Sequence, residues 1–565
     1  MLVLALISAG ACISKLYYMW QAALLVIAVL LAVRLQPWRW RVCSRISRWL
    51  SAVSLNRGIL YLGLVGLLTA MTTALAGKTP IPSAHDEFSY LLAGDTFAHG
   101  RLTNPTHPMW EFFESFHIIQ RPTYMSKYPP GMGLVLAMGE VLAGIPLLGV
   151  WITMALASGA AVWMLGAYVP KRWAVAGGLL VAFHPLMGQW AVSFFGGSLT
   201  TLGGILVIGA AGHISRRPGI LNGILLGVGT VILAMSRPVE GLVICVVAGG
   251  LLLLQMRSAK TPLWRGVILK AAIPATLIVG VSGVWLGYYN QQVTGDWKTM
   301  PYLVFAKQYE IFPPFIFQKP APAPTYNHPV MAQFYQRNAG VEYQNARSGL
   351  WGLVLHVIQQ LNITVGSMLA PAAIAAFPLV LLSRPRKASD VALLVALGVF
   401  AAALCLETWR WSHYGAPAFG LIVIIICRGI RRLSCWRMGQ WRAGRALVWG
   451  ILGAVILGAV VERITVVSNE ETGLMSSRAK LVADLLAMPG KHLVIVRYTP
   501  EHLPSEEWVY NGADIDGSTI VFARDMGDAR DLRLLEYFHD RQVWLASVSD
   551  KEANVEPYGS KRVTP

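Results

Sequence analysis

The sequence predicts an α-helical polytopic membrane protein with about twelve transmembrane helices and a small α/β domain at its C-terminal end. Three observations carry this expectation. Of the 565 residues, 55% are hydrophobic and only 13% charged, against about 25% charged in a soluble globular chain. Apolar runs long enough to cross a bilayer recur along most of the chain. The basic residues gather in short loops between those runs: residues 1–462 hold 35 Lys and Arg against 13 Asp and Glu, whereas residues 463–565 hold 12 against 16. This composition excludes a disordered chain and argues against an ordinary soluble enzyme. Six cysteines without paired spacing exclude a disulfide scaffold and a cysteine zinc site. A pI near 9.7 would fit a nucleic-acid binder. Here the positive charge lies in inter-helix loops, the positive-inside pattern, so nucleic acid is not an expected partner.

Met1–Val33 is apolar apart from Lys15. Its apolar stretch precedes the first basic cluster, the reverse of a signal peptide, so it reads as a membrane anchor. Further apolar runs lie at 57–76, 150–168, 174–187, 199–214, 219–235, 240–256, 267–288, 362–382, 389–406, 414–430 and 446–462. Loops Arg34–Arg57 and Arg428–Arg445 carry six arginines each and no acid, which places both in the cytoplasm. Alternation then puts the polar loops 78–130 and 289–349 outside the cytoplasmic membrane. Lys171–Arg172, Arg216–Arg217, Met256–Arg265 and Arg384–Lys387 fall inside. That parity requires Gly131–Leu148 not to cross fully. Gly139, Glu140, Gly144 and Pro146 in this run suit a re-entrant or interfacial helix; an ordinary crossing would need one helix misassigned elsewhere. The chain therefore divides into a transmembrane unit, 1–462, and an extracytoplasmic tail, 463–565. In the tail, His492–Tyr498, Thr519–Ala523 and Gln542–Ser547 read as strands and Arg530–Phe538 as an amphipathic helix. Strand–helix–strand order favours parallel pairing of the last two strands.

Asp86 and Glu87 are the first acidic residues of the chain, about ten residues past the end of an apolar run. Adjacent carboxylates at a membrane surface raise one another's pKa and cost desolvation. Such a pair suits a proton acceptor for a hydroxyl, or a cation site. The plainer reading is a helix start, with Ser83 as N-cap and both acids in the first turn. His85, His99, His107 and His117 share this loop, but their spacing makes no compact ligand motif. The second loop is rich in aromatic residues and proline, from Trp297 to Tyr335, which reads as an interfacial belt and lid.

Four elements occur in order: Asp86-Glu87, Lys127-Tyr128-Pro129-Pro130, Ser236-Arg237-Pro238, and Trp411-Ser412-His413-Tyr414 with Pro417. Together with the loop topology this set resembles the GT-C superfamily of membrane glycosyltransferases. The nearest branches are the protein O-mannosyltransferases and the lipid A aminoarabinose transferases. The resemblance implies transfer of a sugar from a polyprenyl-phosphate-linked lipid to an extracytoplasmic lipid, glycan or protein acceptor, with inversion. It assigns Asp86 as base, with Glu87 beside it as orienter or cation ligand. Lys127, Arg237 and His413 are assigned to the donor phosphate, as charged hydrogen-bond donors. His85, Tyr90, Tyr128 and Tyr414 are assigned to substrate binding. A divalent cation, Mg or Mn, would sit on Asp86 and Glu87. An acidic α/β tail and a His-rich first loop depart from the family pattern.

Two other classes compete. A transporter or lipid flippase places ionisable groups or broken helices near the bilayer midplane, whereas here the charges cluster in the loops. A non-catalytic membrane scaffold displaying the tail would not need Asp86-Glu87 beside the membrane.

Overall fold

A computed structural model describes residues 45, 48–76, 80–82, 84–257, 264–369, 388–437, 439, 443–468, 474–550 and 552–559. Several of the expectations above lie outside these residues: the anchor Met1–Val33, Ser83, Arg384–Lys387, and most of Arg34–Arg57 and of the run 362–382.

Among the described residues, five helices are long and apolar enough to cross a membrane. They are α1 (Leu55–Ala76), α4 (Pro146–Gly166), α7 (Gly197–Ile214), α9 (Pro238–Arg257) and α10 (Trp264–Thr294). Between α1 and α4 lie α2 (His85–Ala98) and α3 (Pro130–Ala143). The shorter α5 (Lys171–Ala182), α6 (Pro185–Ala191) and α8 (Ile220–Ala234) complete the first half. Every residue of α7 except His213 is buried, and its Gly, Ala, Ser and Thr positions let neighbouring backbones approach closely. α7 is thus the centre of the bundle.

Helix boundaries depart from the apolar runs where proline intervenes. The run expected at 174–187 is split, because Pro185 cannot continue α5 and instead opens the seven-residue α6. Neither piece is long enough to cross. α3 has 14 residues and ends on Gly144, whose φ of +68° suits glycine. At about 1.5 Å per residue it rises about 21 Å, short of a hydrocarbon core of about 30 Å. Two apolar helices follow the second polar loop, α12 (Ala388–Leu404) and α13 (Phe419–Leu433), and then α14 (Ala443–Ser468). Before them stands α11 (Leu350–Thr364), which the apolar-run reading did not anticipate. His356, Gln360 and Thr364 are buried on one face of α11, while Leu350 and Trp351 are exposed.

The first polar loop folds on α2 and a small antiparallel sheet in the order β1-β3-β2, formed by Asn104–Pro105, Ile118–Ile119 and Thr123–Ser126. The tail holds α15 (Leu474–Leu486), α16 (Asp528–Tyr537) and four strands. These are β4 (Lys491–Tyr498), β5 (Ile520–Arg524), β6 (Arg541–Val548) and β7 (Ala553–Pro557), in the order β5-β4-β6-β7. The direct pairing expected between the strands either side of α16 is not formed. β4 lies between them, parallel to both, because its run Leu493–Val496 is buried and so takes the centre of the sheet.

Loops and tail share cores. Leu92, Phe112, Phe113, Ile118 and Tyr124 of the first loop pack with Leu493, Ile495, Val521 and Leu534 of the tail. Ala93, Phe116 and Met125 pack with Phe305, Tyr309 and Tyr335 of the second loop. Tyr124 donates to the Asn511 carbonyl at 2.8 Å, and Ala513 N–H donates to Asp95 at 2.6 Å.

Candidate active site

The connectivity of the bundle gathers chemistry at one end. α7 begins beside Phe194 and runs to Arg216–Arg217; α8 returns from there to Arg237. α13 begins beside His413 and ends at Arg431–Arg432. The polar loops and the tail therefore cap the end opposite the basic one.

Asp86 stands in the first turn of α2, where the helix dipole favours a carboxylate. Its Oδ1 accepts a hydrogen bond from the Tyr128 hydroxyl. Its Oδ2 lies 3.3 Å from His85 Nδ1 and 3.7 Å from His117 Nε2. Burial acts to raise its pKa, but His117, His85 and Tyr128 outweigh burial and hold it well below the usual carboxylate range. His117 carries a φ of +61°, a left-handed conformation that a non-glycine residue adopts at a cost. Its carbonyl fixes that geometry by accepting from Ser89 Oγ at 2.6 Å and from Lys127 N–H at 3.1 Å. Burial and the Lys127 charge push the His117 pKa well down, while the Asp86 carboxylate pulls it up.

Glu87 is placed differently. Its Oε1 accepts from Phe194 N–H at 2.8 Å and its Oε2 from Ala84 N–H at 3.4 Å. It caps α2 and ties it to the approach to α7. The group of potential metal ligands brought together here is His85, Asp86 and His117. Asp86 and Glu87 therefore face different partners, two imidazoles for one and two backbone N–H groups for the other, because adjacent residues on a helix point about 100° apart.

The Lys127-Tyr128-Pro129-Pro130 turn is docked directly on the Arg237 turn. Pro130 opens α3, where its missing N–H costs nothing. Gly131 N–H donates to the Met235 carbonyl at 2.7 Å, and a Cβ on Gly131 would stand 2.6 Å from that oxygen. Tyr128 stacks on Tyr90 with centroids 4.4 Å apart. The Arg237 guanidinium lies 4.1 Å over the Tyr414 ring, with Nη1 3.5 Å from Glu240 Oε1. His413 stacks on Phe195 at 4.8 Å. Burial and Arg237 push its pKa well down while Asp86 opposes them. Lys127 Nζ makes a 2.7 Å ion pair with Glu310. Asp86, His85, Tyr90, Tyr128, Lys127, Arg237, His413 and Tyr414 thus come from four segments to one end of the bundle.

Sequence reasoning missed Glu310 and Tyr302, and it weighed His117 as a ligand with Asp86 only to set it aside on its spacing. His117 lies 31 residues from Asp86, and only the return of β2 and β3 brings it back. Glu310 and Tyr302 stand in a loop whose aromatic content drew the reading to a lipid belt.

No family model matches the chain, and no curated protein matches it in sequence. Likeness appears in three dimensions. ArnT from Cupriavidus metallidurans in the apo state matches with a TM-score of 0.50 at 11% identity, over 87% of this chain and 93% of that one. The same protein bound to undecaprenyl phosphate matches with 0.50 at 10%, over 89% and 99%. The Archaeoglobus fulgidus oligosaccharyltransferase complexed with Zn and sulfate matches with 0.50 at 11%, over 86% and 67%. The chain shares its fold with ArnT and with this oligosaccharyltransferase. At this identity the likeness is one of architecture, and the chemistry of this chain rests on its own residues.

Proposed function

We propose that this chain transfers a sugar from a polyprenyl-phosphate-linked donor to a hydroxyl acceptor at the outer face of the cytoplasmic membrane, with inversion at the anomeric carbon. The observation that carries this reading is the convergence of Asp86 with a buried Lys127 and a partly buried Arg237 at one end of an apolar helix bundle. The ArnT structure bound to undecaprenyl phosphate shares the fold, which supports a lipid phosphate as leaving group.

In this mechanism Asp86 accepts the acceptor's hydroxyl proton as that oxygen bonds to the anomeric carbon and the carbon–phosphate-oxygen bond breaks. Its depressed pKa keeps it unprotonated at neutral pH, and the Tyr128 hydroxyl orients it. Arg237 and Lys127 neutralise the phosphate as its charge grows, a service worth most in a water-poor site. His413 donates a further hydrogen bond.

His85, Asp86 and His117 also fit a divalent cation. Their ligand atoms lie within 4.8 Å of one another, with His85 Nδ1 and His117 Nε2 both facing Asp86 Oδ2. Two imidazoles and one carboxylate suit Mn or Zn better than Mg, which prefers oxygen ligands. A cation there would fix the three side chains and stabilise a nearby oxyanion.

The test uses membranes containing the protein, supplied with radiolabelled polyprenyl-phosphate sugars. Asp86→Asn keeps the size and removes the basicity, so transfer should fall about 100- to 10,000-fold with undecaprenyl phosphate binding retained. Near wild-type turnover would remove the base assignment. Lipid binding without sugar transfer by the wild type would favour the flippase reading.

A further inference from the structure

Lys127 is a buried cation whose charge the proposed reaction requires for a phosphate, yet it is already neutralised. Its Nζ stands 2.7 Å from Glu310 Oε1, with the two side chains 5% and 9% exposed. Three rings surround the ammonium: Phe305 at 4.7 Å, Tyr302 at 5.1 Å and Tyr128 at 5.3 Å. Tyr302 and Phe305 belong to the short helix Pro301–Tyr309, and Glu310 terminates it. Tyr302 hydrogen-bonds Glu310 and lies within electrostatic reach of Arg237 and Tyr414. One segment of the second polar loop therefore sets a carboxylate on Lys127 and a hydroxyl near the other cation. A phosphate bound at Lys127 would compete with Glu310 for an ammonium that three rings already surround. Two anions on one buried ammonium would repel in a medium that screens them poorly.

We propose that Glu310 is an internal stand-in for the donor phosphate, holding Lys127 neutralised and the 301–310 segment closed until a polyprenyl phosphate displaces it. This rests on the glycosyl-transfer reading of the same site. Donor binding and opening of the second loop are then one event. Glu310 also spares the donor-free protein an unpaired buried cation, a costly state.

The experiment measures affinity for undecaprenyl phosphate in lipid nanodiscs for the wild type, Glu310→Gln, Lys127→Gln and the double variant. Glu310→Gln removes the competing charge and should bind about tenfold more tightly, the worth of one charge-assisted hydrogen bond. Lys127→Gln should bind more weakly, and adding Glu310→Gln to it should change nothing. Hydrogen exchange over 301–310 should be slow in the lipid-free wild type, faster with lipid, and already fast in Glu310→Gln. Glu310→Asp keeps the charge but is too short to hold 2.7 Å from Lys127, and should tighten binding in the same direction if the Gln variant folds poorly. A wild type that binds the lipid and a Glu310→Gln protein that binds equally or less well would overturn the stand-in role alone. A wild type that does not bind the lipid would overturn the donor reading together with it.

Discussion

Asp86 and Glu87 are adjacent, yet their surroundings give them opposite duties. Two imidazoles and a phenol face Asp86, whereas two backbone N–H groups hold Glu87. A third carboxylate, Glu407, shows what happens without such partners. Burial and the nearby Glu240 push its pKa up to about 9, with Arg237 pulling the other way. Its folded pKa thus exceeds the unfolded value of about 4.3. Between those values the folded state binds the extra proton, so this group's contribution to stability falls as pH rises from about 4 through about 9. Glu407→Gln should remove that slope. Thermal unfolding in detergent should show the variant gaining on the wild type as pH increases from 5 to 9; parallel curves would show that Glu407 is not the protonated group. The sequence made Asp86 visible because 85 residues without an acid precede it. The raised pKa of Glu407 was invisible because it depends on burial, and then on Glu240, which the packing of α9 and α12 brings close.

At the scale of elements, apolar length and turn residues carry the readable information. α1, α7 and α9 lie within a few residues of their apolar runs, since a long apolar stretch in lipid has no other way to satisfy its backbone. β4, β5 and β6 also stand within two residues of the strands read from their apolar runs. α11 escaped because its buried face is made of His356, Gln360 and Thr364, so no apolar run marks it. The order of the tail sheet escaped because it depends on which strand buries both faces. Glu87 was read as part of a reacting pair, yet its carboxylate closes the N-terminus of α2, which also carries Asp86. Glu87→Ala should leave two backbone donors without a partner, at about 1–3 kcal/mol. The expected result is a lowered unfolding midpoint and faster hydrogen exchange over 84–90 and 193–197. Exchange unchanged in both segments would mean that Glu87 does not join them.

Across the whole molecule, the shared cores decide which parts lie on one side of the membrane. Leu493 and Ile495 of the tail pack in the same cluster as Phe112 and Phe113 of the first loop. Arg524 donates to the Glu114 carbonyl at 2.6 Å and pairs with Glu507 at 2.5 Å. A bilayer cannot run through such a core, so the tail, the first loop and Asp86 occupy one aqueous compartment. Arg216, Arg217, Arg431 and Arg432 lie at the other end of the bundle, and basic loops are retained in the cytoplasm. The tail should therefore be extracytoplasmic. A reporter active only outside the cytoplasm, fused after Pro565, should be active. A cysteine placed at the exposed Asp528 should react with a membrane-impermeant thiol reagent in intact cells, and one at Arg217 should react only after lysis. Activity of a cytoplasmic reporter at the same junction would move tail, first loop and Asp86 together to the inner face, because the shared core does not let one invert without the others. The acceptor would then have to be a cytoplasmic molecule, and the proposed outward-facing transfer would fall even if Asp86 remained the base.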